Sequence, residues 1–417
     1  MERKSLGLTA SWSDVWLLAG VRTPFADYNG VLGAVSPTDL GIAAAREVFA
    51  RSGVPPQDVG AVITGSMAQA SFDTYCLPRH IGLYSNVPVE VPAHMVQRVC
   101  GTGIEVLMQA ADFIAHRQIN LTLCVGTESM SRNPVASYGM RGFRMGGVEF
   151  KDFLLEALYD PAGKVSMGDT AENLARTYQI TRPQVDAFAA RSFERAIAAQ
   201  KSGFLSGEIA PLKSEPLERA GLAAREIRLK GAKELSVDTH VRPSPIEALA
   251  AIRPAFGGVQ TGGNSSAIVD GAAAVLAASS GYVKKSGNCR WRVFSPAQRS
   301  GSSRRSWESA RCRQSGPCSN ARSLSFRISI ASRSTQVMAC ARELGLDEAR
   351  LNVNGGAIAI GHPLGATGVR LALTLARELD RAQARYGIAS ACIGGGQGIA
   401  LLIENPKAES ASSIRKS

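Results

Sequence analysis

Apolar residues recur at helical spacing over Gly103–His116, where Ile104, Leu107, Met108 and Ala111 share one face. Ser36-Pro37-Thr38-Asp39 supplies a cap and a first-turn proline, and Gly53 supplies a stop, so a helix is predicted between them. The apolar runs Val59–Ile63 and Leu121–Val125 predict short buried strands. Residues 129–250 are more polar, with helices expected over Asp169–Tyr178 and Arg182–Lys201. Ala267–Ser279 returns to a small-residue apolar pattern. Further on, Gln336–Leu344 reads as helix and Gly365–Asp380 as a strongly amphipathic helix. Gly387–Ile393 and Gly398–Glu404 read as apolar strands joined through a glycine run, and a polar tail follows Asn405. Strands alternating with helices at this spacing predict α/β layers.

One stretch breaks the pattern. Residues 286–335 show neither period and hold ten Arg, no Lys, one acid (Glu308) and 14 Ser. The stretch carries +9 of the formal +12, leaving +3 for the other 367 residues. The basic balance is therefore local and does not mark the whole chain as a nucleic-acid binder. A solvated Arg/Ser insert and an RNA-binding tract are two readings of it. The reading preferred here is translation out of frame, given the abrupt composition change at both ends. Some codon choices for Trp307–Gln314, read two bases later, spell Gly-Ile-Gly-Pro-Val-Pro-Ala.

The chain is long enough for two or three domains and a large core. It has no apolar run of membrane-spanning length, and its first residues lack a secretory h-region. Eight scattered cysteines predict reduced thiols in a cytoplasmic setting.

Three constellations could carry chemistry. Gln97-Arg98-Val99-Cys100-Gly101-Thr102-Gly103 places a cysteine before a helix, where the positive end of the helix dipole favours a thiolate. A small buried Cys in a tight turn is the bland reading of the same residues. In the run Asn352–Gly368, His362 lies between Gly361 and Pro363 just before the amphipathic helix. That fits a base with a fixed backbone, or a helix-capping loop histidine. Ser390-Ala391-Cys392-Ile393-Gly394-Gly395-Gly396-Gln397-Gly398 ends a strand with a thiol and leaves main-chain N–H groups uncovered, as an oxyanion hole needs. A glycine-rich hairpin with an incidental Cys is the alternative. Together they suit covalent acyl transfer, which needs a nucleophile, an activating base and a second proton carrier. Cys100, His362 and Cys392 lack metal-ligand spacing, so no metal is expected.

These residues make the chain resemble the thiolase family, the acetyl-CoA acetyltransferases and 3-ketoacyl-CoA thiolases. The match begins near Val21-Arg22-Thr23-Pro24-Phe25 and runs to Ile403. It includes Gly126-Thr127-Glu128-Ser129-Met130-Ser131, Met167–Asn173, Arg253-Pro254-Ala255-Phe256, Asn264-Ser265-Ser266, Asn354–Gly368 and Cys392–Gly398, but not 286–335. The resemblance implies two similar βαβαβαββ halves in layers with an inserted loop domain. The expected division is an N-terminal half over 1–128 and 251–280, a loop domain over 129–250 and a C-terminal half over 281–417. It implies Cys100 as acyl-accepting nucleophile, His362 as its base and Cys392 as the acid/base at the α-carbon. Backbone N–H groups of Cys100 and Gly394 would form an oxyanion hole, and Met167, Arg242 and Ser266 would contact coenzyme A. Acetyl-CoA, acyl-CoA and 3-ketoacyl-CoA enter as substrates, with no cofactor. Neither a nucleic acid nor a membrane is expected as partner, and the chain should form a homodimer or homotetramer.

Four departures stand out. Counting back from Gln336 puts Ile330 where the family has an Asn that holds a water for the enolate. Losing one oxyanion donor costs roughly 10²–10³ in rate, so impaired activity is expected. Gln97 replaces a frequent Asn, and Ser166 replaces a His often found before Met167, which bears on substrate preference. The stretch 286–335 should supply core strands, where ten unpaired arginines cannot be buried, so poor folding is expected. A non-catalytic thiolase-like acyl-CoA-binding protein is the alternative function.

Overall fold

The computed structural model describes residues 8–68, 73–139, 145–286, 291–301, 326–331 and 333–408. Within the atypical stretch, 287–290, 302–325 and 332 lie outside the described residues, and so does the Trp307–Gln314 test of an altered reading frame.

Eleven strands form one mixed sheet. They are β1 (Leu8–Ala10), β2 (Val15–Arg22), β3 (Ala26–Asp27), β4 (Ala61–Gly65), β5 (Ala93–Val96) and β6 (Leu121–Glu128). The others are β7 (Val269–Ser279), β8 (Trp291–Gly301), β9 (Phe326–Ala331), β10 (Tyr386–Ile393) and β11 (Gln397–Glu404). The order is β9-β10-β11-β8-β2-β7-β6-β4-β5, with β1 on β8 and β3 on β7. Two similar halves meet where β2 pairs antiparallel with β8. In each half the first strand (β2 or β8) pairs antiparallel with the last (β7 or β11). The last strand then pairs antiparallel with its predecessor (β6 or β10), and a parallel strand follows (β4 or β9). This is the duplication that the resemblance implies.

The main-chain slots of β8 and β9 are filled from the stretch that has no period. The register with β2, β11 and β10 is carried by backbone hydrogen bonds, which any non-proline residue makes. A strand expected at Val59–Ile63 runs instead over Ala61–Gly65, because a 3₁₀ turn at Pro56–Asp58 takes Val59 as its cap.

Helix α1 (Pro37–Ser52) starts at Ser36, whose side chain accepts from the Asp39 N–H, and ends at Gly53 in the left-handed region. With α2 (Leu77–Tyr84) it covers one face of the sheet. On the other face lie α3 (Thr102–Ala115) and α7 (Leu364–Ala382), equivalent helices of the two halves. Strand β7 serves both faces: Ala272, Ala274 and Leu276 pack under α1, while Ala273, Val275 and Ala277 pack under α3 and α7. That is the period of two expected of a strand buried on both sides. A third core joins α4 (Met167–Thr177) and α5 (Arg182–Lys201) to α6 (Ser334–Leu344) and the loop before α7.

The site is positioned by the crossing of α3 and α7. A Cβ at Gly103 would fall 2.7 Å from the Gly368 N, and one at Gly368 would fall 2.1 Å from the Ile104 N. Only glycines let the two backbones approach this closely. The crossing draws the N-terminal ends of both helices, and the loops leading into them, to one place.

Candidate active site

Cys100 precedes α3 in a tight turn. Val99 has φ +45°, and the Gly101 N–H donates to the Arg98 carbonyl at 2.9 Å. Thr102 locks the turn: its hydroxyl accepts from the Arg98 N–H at 2.8 Å and donates to the Val99 carbonyl at 2.6 Å. The Arg98 guanidinium bonds Glu105 at 2.8 Å and reaches Gln397 Oε1 at 3.4 Å, linking the turn to the hairpin that carries Cys392.

His362 precedes α7 in the equivalent place. Gly361 has φ +102°, and a Cβ there would lie 2.4 Å from Val269 Cγ2. The His362 N–H donates to the Ala267 carbonyl at 3.0 Å. Its Nδ1 is 2.7 Å from Thr367 Oγ1, and that hydroxyl donates to the Pro363 carbonyl at 2.8 Å. A hydroxyl has one hydrogen, so Thr367 accepts from His362 Nδ1–H. This tautomer leaves Nε2 with its lone pair, as a base requires.

The start of α7 is also clamped from the first half. Glu128, at the end of β6, accepts from the N–H groups of Met67 at 2.8 Å, Ala68 at 3.2 Å and Gly365 at 2.9 Å. The Ser66 hydroxyl adds a fourth bond at 3.2 Å. Burial pushes this carboxyl up, and the four donors oppose the shift.

A cavity of about 520 Å³ brings Cys100, His362 and Cys392 into one wall, with Met167 and Ser266. The remaining wall is largely apolar, including Met130, Leu155, Leu158, Phe256 and Leu364. Cys392 Sγ lies 3.7 Å from Gln336 Oε1. Ser266 Oγ is buried and has no hydrogen-bond partner among the described residues. Cys124, by contrast, is sealed in the core, where burial pushes its thiol up and keeps it inert. Gly394 lies behind the Val99–Cys100 turn: a Cβ on it would sit 3.3 Å from Val99 Cγ1. Among the described residues, no three His, Cys, Asp or Glu side chains are grouped to hold a metal ion.

Arg242 is exposed and does not line the cavity, although its charge helps hold Asp27 below the usual carboxylate range. The largest cause of that shift is the hydrogen bond from His240, whose Nδ1 is 2.5 Å from Asp27; both residues line the cavity. Ile330 does not stand in the wall either. Its side chain is buried in the third core, and its backbone is held on both sides by the Asn352 amide, at 2.8 and 3.1 Å. Arg333 and Gln336, both past the end of β9, reach the cavity instead. Sequence reasoning missed Gln336, Arg333 and the Asp27–His240 pair. Each needs a contact partner far away in the chain, and no local spacing announces it.

Comparison with known proteins follows the same outline. The family model for the thiolase N-terminal domain matches residues 15–281, and that for the thiolase C-terminal domain matches 330–405. Most of the atypical stretch falls between the two. The mitochondrial 3-ketoacyl-CoA thiolase of Rattus norvegicus is 36% identical over 410 residues, covering 94% of this chain and 98% of that protein. The acetyl-CoA acetyltransferase of Pseudomonas aeruginosa is 35% identical over 408 residues, covering 94% and 99%. The crystal structure of human mitochondrial 3-ketoacyl-CoA thiolase in complex with CoA superposes with a TM-score of 0.84 at 35% identity, covering 94% and 98%.

Proposed function

The chain belongs to the thiolase family, and we propose that it transfers acyl groups between coenzyme A thioesters through Cys100, His362 and Cys392. The observation that carries this reading is their convergence on one cavity, with His362 oriented by Thr367.

In the cleavage direction, His362 Nε2 takes the Cys100 proton and the thiolate attacks the 3-keto carbon. The C2–C3 bond breaks, its electron pair passes to the acetyl-CoA enolate, and Cys392 gives that carbon its proton. The Cys392 thiolate then takes the thiol proton of incoming coenzyme A, whose sulfur displaces the acyl group from Cys100, and His362 returns its proton to the departing Cys100 thiolate. Synthesis runs the same steps backwards, with Cys392 removing the α-proton. The Cys100 and Gly394 N–H groups are the proposed oxyanion donors, supported by the fit of Gly394 against the Val99–Cys100 turn. Met167 and the Ser266 hydroxyl are the proposed contacts to coenzyme A, which enters as substrate; no cofactor is required. Arg242 would meet the ligand outside the cavity.

The expected assembly is a homodimer or homotetramer, supported by β5 ending the sheet without a further strand among the described residues. Among the described residues no helix is long and apolar enough to cross a membrane. The proposed cytoplasmic placement draws on the scattered cysteines of a long chain, none of which pairs with another among the described residues.

The test is thiolysis of acetoacetyl-CoA by the purified chain. Cys100→Ala is expected to lower kcat by more than about 10³-fold, and His362→Ala and Cys392→Ala to lower it as well. Wild-type rates in the latter two variants would refute the role assignment. Coenzyme A binding without turnover in the unaltered chain, retained in Cys100→Ala, would favour a non-catalytic acyl-CoA-binding protein.

A further inference from the structure

Part of the cavity wall is a loop with neither helix nor strand, residues 257–266, which contributes Thr261, Gly262, Ser265 and Ser266. An irregular segment holds a binding hydroxyl in place only if something rigid holds the segment. Here the holding group is Glu172, a buried carboxylate of α4 that does not itself line the cavity. Its two oxygens accept from consecutive backbone N–H groups, Val259 at 2.9 Å and Gln260 at 2.7 Å. Bonds from N–H to a carboxylate are stronger than those to a neutral acceptor. Gly258 leaves room for the carboxylate, since a Cβ there would overlap Glu172 Oε2. The clamp passes along the loop through Asn264. The Asn264 amide donates to the Val259 carbonyl at 2.9 Å and to Asp186 at 2.8 Å, and its oxygen accepts from the Thr261 N–H at 2.8 Å.

Helix α4 begins at Met167, which also lines the cavity. One helix therefore sets the distance between Met167 and the loop that carries Ser266. We propose that Glu172 is a positioning residue for coenzyme A: by holding 259–260 it places the Ser266 wall at the separation from Met167 that the ligand needs. The inference rests on the acyl-transfer reading, in which coenzyme A enters this cavity. The far end of the loop is fastened separately. The Ala267 N–H donates to the Ala357 carbonyl at 3.3 Å, and the Ala267 carbonyl accepts from the His362 N–H. Loosening the loop at 259–260 thus weakens binding and leaves the histidine in place.

The test combines thiolysis of acetoacetyl-CoA over a range of coenzyme A concentrations with calorimetric titration of coenzyme A. Both are run on the unaltered chain, Glu172→Gln, Glu172→Asp and Gly258→Ala. In Glu172→Gln one amide oxygen faces two N–H groups, so KM and Kd for coenzyme A should rise about tenfold, while kcat at saturation stays within about twofold. Glu172→Asp, which keeps both oxygens on a shorter stem, should recover part of the affinity. Gly258→Ala should weaken binding with the carboxylate intact, and it decides the matter if Glu172→Gln does not fold. Unchanged Kd in Glu172→Gln, or a loss in kcat with KM unchanged, overturns the proposal. If the unaltered chain neither binds coenzyme A nor turns over, the acyl-transfer reading fails; if it does both and the variants match it, only the positioning role fails.

Discussion

The two halves of the sheet deliver Cys100 and His362 to the cavity by the same device built from different residues. In the first half Val99 turns the chain with φ +45° and Cys100 follows, one residue before the cap of α3. In the second, Gly361 turns it with φ +102° and His362 follows, one residue before the cap of α7. A β-branched residue near the left-handed helical region costs about 1–2 kcal/mol, which a large fold can absorb. At φ +102° the backbone is open to glycine alone, and Val269 fills the space where a side chain would go. Duplication keeps the path of the backbone and leaves its chemistry to local packing. Both turns are held by hydrogen bonds, the first through Thr102 and Arg98 and the second through Ala267 and Thr367, but only the second also requires the absence of a side chain.

Three substitutions sharpen or break this contrast. The largest effect is expected for Gly361→Ala, which combines the disallowed φ with the 2.4 Å approach of Val269. It should cost about 3 kcal/mol or more in urea unfolding. Thr367→Val keeps the volume in α7 but removes the acceptor of His362 Nδ1–H. Thiolysis should fall about 10²-fold in kcat, near 2.7 kcal/mol of barrier, while loss of the two buried hydrogen bonds lowers unfolding stability by about 1–3 kcal/mol; an unaltered kcat in the folded variant would show that Thr367 does not set the tautomer. The smallest effect is expected for Val99→Gly. Relief of the left-handed turn is offset by the roughly 0.5–1 kcal/mol that glycine adds to the entropy cost of folding, so stability should move by less than about 1 kcal/mol. If Val99→Gly proved as costly as Gly361→Ala, the two turns would not be held differently.

Much of this arrangement could be read from residue order. The cap at Ser36 and the stop at Gly53 bound α1 as expected, and the single-face periodicity of 103–116 lies within one residue of α3. Cys100 and His362, each beside a glycine, and Cys392, two residues before a glycine run, stand out because acyl transfer uses those residue types, and all three line the cavity. These features are legible because capping, helical period and backbone freedom act between residues a few positions apart.

Other features required the folded chain. Strands β8 and β9 come from a stretch without period, since their pairing is made by main-chain groups that carry no sequence signature. Counting placed Ile330 at the enolate, whereas β9 turns its side chain into the third core and brings Arg333 and Gln336 to the thiols. The tautomer of His362 rests on Thr367 and Pro363 together, and Glu128 reaches Gly365 across 237 positions of the chain. Local order settles which segments become helices and strands and which residues are chemically able. Which of those residues meet is a matter of close packing between distant elements: here the contact of Gly103 with Gly368 brings a cysteine and a histidine into one cavity.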